Sequence, residues 1–136
     1  YAIEGQRIIE QGLAANMFQG EELSRAQRTL ESAKRAADKE RVALAKAAGT
    51  LAAARTGQDM VAVGKLYFSA GEYAQAADAL RKGIAKGGVA DGDASNMLLG
   101  IALVRQGKNA EAIKAFDAVK DPKTAEVARL WKLKAR

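Results

Sequence analysis

Apolar residues in this chain recur at spacings of three and four, and alternation of the strand type is absent. Ile9, Leu13 and Met17 fall on one stripe of a first helix over residues 3–19, with Ile3, Ile8 and Phe18 beside it. Gly20 reads as a turn. Leu23, Ala26, Leu30, Ala33 and Ala37 form a second stripe over residues 21–37, with Glu21 and Glu22 in the first turn, where carboxylates suit the helix dipole. Asp38 reads as the N-cap of a third helix through Val42, Ala45, Ala48, Leu51 and Ala52, and Gly57 as its stop.

The pattern sharpens from Asp59 onward. Met60, Val63, Gly64 and Tyr67 make one face of a fourth helix, and Ala70-Gly71-Glu72 a tight turn. Tyr73, Ala76, Ala77, Leu80 and Ile84 make the facing stripe of a fifth, ended by Gly87-Gly88. A sixth helix, capped by Asp93 or Ser95, carries Leu98, Leu99, Ala102 and Leu103. After Gly107 a seventh carries Ala112, Ile113, Phe116 and Val119. Asp121 caps an eighth, with Pro122 at its first position and Ala125, Val127, Ala128, Leu130 and Trp131 as its apolar side.

Two of these hairpins are copies. Gly64 to Gly100, Gly71 to Gly107, Ala76 to Ala112 and Leu80 to Phe116 are each separated by 36 residues. In each copy a small residue lets the returning helix approach and a large one fills the space beside it. A lone hairpin cannot bury both faces, so such units stack. The pattern Val63-Gly64-x-x-Tyr67, Gly71-x-Tyr73-x-x-Ala76-x-x-x-Leu80 resembles the tetratricopeptide repeat family. It recurs as Leu99-Gly100-x-x-Leu103, Gly107, Ala112 and Phe116, so the resemblance covers about residues 57–122. The loop Gly87 to Gly92 makes the period two residues longer than the family's. A third, degenerate copy is read at Leu13-Ala14-x-x-Met17 with Leu23, Ala26, Leu30 and Ala33.

The reading is therefore all-α: a short solenoid of stacked helical hairpins, about seven or eight helices, in a single domain over 1–136. Its parts are N-terminal helices 1–56, a repeat at 57–92, a second at 93–121 and a capping helix at 122–136. The resemblance implies a scaffold that holds a peptide or helix of a partner in a groove lined by the first helix of each unit. Carried over position by position, that groove presents Val61, Lys65, Phe68 and Ser69, then Met97, Ile101 and Arg105, with Gln58, Ala94 and Val104 alongside. Phe68 and Lys65 read as exposed, whereas Ile101 and Val104 read rather as packing against the next helix. An apolar segment with an acidic group suits this strip. The alternative is a self-associating structural domain whose apolar edges pair with another copy.

Composition narrows the chemistry. The chain has no cysteine and no histidine, which excludes disulfides, a thiol nucleophile and the commonest general base and metal ligand. No carboxylate cluster has catalytic spacing, so the reading is not an enzyme, with no cofactor and no metal. Asp91-Gly-Asp93 reads as a turn and cap, because no further ligands follow at calcium-loop spacing. Gly57 to Lys65 fails as a phosphate loop, since Leu66 stands where Ser or Thr is required. The net charge of +6 concentrates late, with six basic against two acidic residues from Lys120 to Arg136. Those cations are not interleaved with aromatics, and they read as solvated helix faces rather than a nucleic-acid surface. No apolar run is long enough for a membrane span. Alanine richness and the lack of cysteine lean toward a bacterial, exported protein.

Overall fold

A computed structural model describes residues 2–135, and among them there are seven helices and no strand. They are α1 (Ala2–Ala14), α2 (Gly20–Ala53), α3 (Gly57–Ser69), α4 (Tyr73–Lys86), α5 (Gly92–Arg105), α6 (Asn109–Asp117) and α7 (Pro122–Lys134). Each helix packs on its neighbours in chain order, and α3, α5 and α7 also touch in sequence, so they form one layer with α4 and α6 behind. The chain is an all-α helical solenoid. No helix among the described residues is long and apolar enough to cross a membrane.

The two hairpins end their first helices in the same way. Gly71 and Gly107 sit at φ +81 and +73, a left-handed conformation that costs glycine nothing. The Glu72 and Gly71 amides donate to the Tyr67 and Phe68 carbonyls, and the Lys108 and Gly107 amides donate to those of Leu103 and Val104. This pair of bonds satisfies the last carbonyls of the helix and reverses the chain. The returning helix then comes very close. A Cβ added at Gly64 would lie 2.7 Å from Leu80, and one at Gly100 would lie 2.3 Å from the Phe116 ring. Leu80, Leu103 and Phe116 are consequently among the most deeply buried side chains, in a core that runs from Val61 to Ala128.

Polar contacts fix the stacking. Arg81 on α4 pairs with Glu111 on α6 at 2.7 Å, and Lys132 on α7 pairs with Asp117 on α6 at 2.7 Å. The Asp93 carboxylate accepts from the backbone amides of Lys120 and Asp121, tying the start of α5 to the start of α7. Asp121 in turn caps α7: its carboxylate accepts from the Thr124 amide and hydroxyl, which holds its pKa below the ordinary value of 3.8.

Several boundaries differ from the expectation. The second and third helices expected from the sequence are one continuous helix, Gly20–Ala53, of 34 residues and about 50 Å, with no break at Asp38. Asp38 is paired with Arg41 on the helix surface, and the alanine-rich sequence keeps the helix going through it. Met17 lies outside α1, which ends at Ala14. Phe18 folds back over Gly12, where a Cβ would meet its ring at 2.7 Å. Gly57 is the first residue of α3 rather than a stop, and its Cβ position is filled by the carbonyl oxygens of Gly83 and Gly87. Thr56 caps α3 in a reciprocal box with Asp59. The cap of α5 is Asp91, not Asp93 or Ser95. On α7 the inward side is Ala125, Ala128 and Trp131, while Val127 and Leu130 face outward.

Candidate partner-binding face

The predicted groove residues lie on α3 and α5, which are in contact. They divide into two groups. Val61 is fully buried, packed so tightly that a Cβ on Gly83 would lie 2.8 Å from its side chain, and Met97 is 8% exposed within the same core. Ser69 is 4% exposed, and its hydroxyl donates to the Leu66 carbonyl at 2.9 Å. These three offer a partner almost no surface. Val61 and Met97 are withdrawn by the close hairpin packing. Ser69 is withdrawn because α2 lies against it: the Glu40 carboxylate stands beside Ser69 and accepts from the Ile3 amide at 2.7 Å. Burial alone raises the Glu40 pKa, but these polar neighbours outweigh it and hold the carboxyl below its ordinary 4.5.

Lys65, Phe68 and Ile101 are half-buried and Arg105 is exposed. Phe68 and Tyr73 meet edge to face across the α3–α4 turn, with ring centroids 5.5 Å apart and planes at 76°. The Arg105 guanidinium stands 6.0 Å from the Tyr73 ring centroid. Gln106 pins this corner, since its side-chain amide donates to the Tyr73 carbonyl at 2.9 Å and to that of Ala102 at 3.1 Å. Neither Lys65 nor Arg105 is ion-paired among the described residues. The cluster is therefore an apolar, aromatic corner with unneutralised positive charge on the same two helices. Tyr73 was assigned only to packing by its helical spacing. Its closeness to Phe68 across a three-residue turn is the signal that places it here as well.

A second recess, about 700 Å³, lies between α2 and α3, lined mainly by Ala43, Ala47, Ala62, Val63 and Leu66 with Lys46 and Asp59 at its rim. Its walls carry little hydrogen-bonding capacity, and Asp59 is already engaged with the Thr56 amide. Among the described residues no group of three or more acidic side chains could hold a metal ion. Asp91 and Asp93 are both committed to backbone amides, Asp91 as the cap of α5 and Asp93 as the acceptor from the Lys120 and Asp121 amides.

The repeated geometry agrees with what known proteins show. The family model described as Tetratricopeptide repeat matches residues 62–126, which is the two stacked hairpins and the start of α7. No curated protein and no solved structure matches the chain. Proteins built from these repeats are in general protein–protein interaction modules. The small-large interlock at Gly64–Leu80 and Gly100–Phe116 and the paired turns at Gly71 and Gly107 lie within the matched residues, so the segment 62–126 is similar in sequence and in packing to tetratricopeptide repeats.

Proposed function

We propose that the chain is a non-catalytic adaptor that holds an extended or helical segment of a partner protein against α3 and α5. The observation that carries this reading is the corner formed by Phe68, Tyr73 and Arg105, with Lys65 and Ile101 on the same helices. Half-buried aromatics supply rigid contact area at small entropic cost, and the two unpaired cations select an acidic group. The partner segment is therefore apolar with at least one carboxylate. Of the seven residues read as groove from the sequence, Lys65, Phe68, Ile101 and Arg105 carry this proposal.

Selection from a displayed peptide library tests it. Peptides enriched on the wild-type chain should carry Asp or Glu beside apolar residues. Their affinity should fall about tenfold or more in the double variant Lys65→Glu/Arg105→Glu, with helical content unchanged. Enrichment of basic peptides, or equal binding to the double variant, would refute the proposed face.

A further inference from the structure

The two ends of the helical array are unlike each other, and they are complementary. At the N-terminal end, α1, the connector and the first turns of α2 border an open recess of about 430 Å³, with Ile9, Met17, Phe18 and Ala26 as its apolar lining and Glu22, Arg25 and Thr29 as its polar lining. Met17 is 71% exposed. Between residues 9 and 26 this tip carries Glu10, Glu21 and Glu22 against Arg25 alone, while Arg7 and Arg28 lie further back along their helices. At the opposite end, α7 turns Ala128 and Trp131 inward and leaves Leu130 and Leu133 65% and 63% exposed, with Val127 beside them. Here the charge is reversed: Lys123, Arg129, Lys132 and Lys134 stand against Glu126. Lys132 already meets Asp117, and Lys134 lies 5.3 Å from the Trp131 ring centroid, so Lys123 and Arg129 are the freer cations.

We infer that the partner of the α7 face is the N-terminal tip of a second copy, joined head to tail. The apolar stripe of α7 covers the recess at Met17 and Phe18, and Arg129 and Lys123 meet Glu21 and Glu22. The outward apolar stripe of α7 is a stacking surface that no described helix covers. Its cationic border favours an acidic neighbour, and the tip supplies one. Because the two patches differ and lie at opposite ends, the contact is heterologous. Such a contact does not close on itself as a two-fold dimer does, and it propagates.

Analytical ultracentrifugation of the intact chain over a concentration series tests this. The wild-type average mass should climb past that of a dimer as concentration rises, and should drop as salt is added. Met17→Glu and Leu130→Glu should each be monomeric, with self-association weakened about tenfold or more, because each kills one half of every contact. An equimolar mixture of the two variants retains one working tip and one working α7 face, and should form a heterodimer that grows no further. Far-ultraviolet circular dichroism checks that both variants are folded. The milder pair Glu22→Arg and Arg129→Glu serves should either lose helix: each alone should be monomeric, and their mixture, which restores opposite charges at both kinds of contact, should again grow past a dimer. A wild-type chain that stays monomeric, one that stops at a dimer, or a mixture of folded variants that fails to associate would each overturn the inference.

Discussion

The stacked hairpins of α3 to α6 and the N-terminal pair α1–α2 are both alanine-rich helix pairs, yet they hold together differently. In the hairpins, glycines stand where a side chain of the facing helix must enter, and large residues fill the space: Leu80 against Gly64, Phe116 against Gly100. The contiguous core draws every member from Val61 onward. In α1 and α2, the buried residues are Gly12, Ala37 and Ala47. Gly5 and Gly49 there face open space. Two alanine methyls and a glycine bury little apolar area, so this pair depends on helix propensity, surface ion pairs such as Arg41–Asp38, and the link from Glu40 to Ile3 and Ser69. The hairpins are an interlocked scaffold, and the N-terminal pair is a long lever resting on it.

The largest effect expected from this difference is at Phe116. Removing its ring by Phe116→Ala empties the best-filled position of the second hairpin, and chemical denaturation should show a loss of about 3–5 kcal/mol. Two alanine substitutions at glycine then sharpen the contrast, because they should act with opposite sign. Gly100→Ala forces a methyl into the Phe116 ring and should destabilise by about 1–3 kcal/mol in the same assay. Gly49→Ala, on the exposed side of α2 near its C-terminal end, meets nothing within 4 Å and should stabilise by about 0.5–1 kcal/mol. Equal signs at the two sites would mean that the regions are packed alike.

The smallest effect concerns pH. The folded-state pKa of Glu40 lies below its ordinary 4.5, so its contribution is present above that value and is lost as pH falls through the folded pKa. Thermal melts of Glu40→Gln should therefore show a shallower loss of stability on acidification below that point than the wild type, with the difference confined to the melting of α1 and α2. An unchanged acid slope would remove Glu40 from the link between α2 and the scaffold.

The hairpins were legible in the sequence because their geometry is written in residue size. A glycine 36 residues from another glycine, each followed by a matched turn and a matched large residue, leaves few ways to pack. The N-terminal region gave less. Asp38 is a good cap residue, but whether a helix starts there depends on whether the preceding one ends, and nothing in an alanine-rich run ends it. On α7, apolar residues occupy more than one side, so periodicity did not decide between Trp131 and Leu130 as the buried residue. The candidate face was legible in its helices and cations. Val61, Met97 and Ser69 could not be set aside without knowing how closely α4 approaches at Gly83 and where Glu40 lands.

Hydrogen exchange along the whole chain, free and with an acidic peptide from the display selection, probes the scaffold and its face together. The account predicts slowest exchange across α3 to α6, faster exchange in α1 and the first half of α2, and added protection from the peptide around Lys65 and Phe68 on α3 and Ile101 to Arg105 on α5. Slowest exchange in α1–α2, or peptide protection concentrated on α4 and α6, would contradict it.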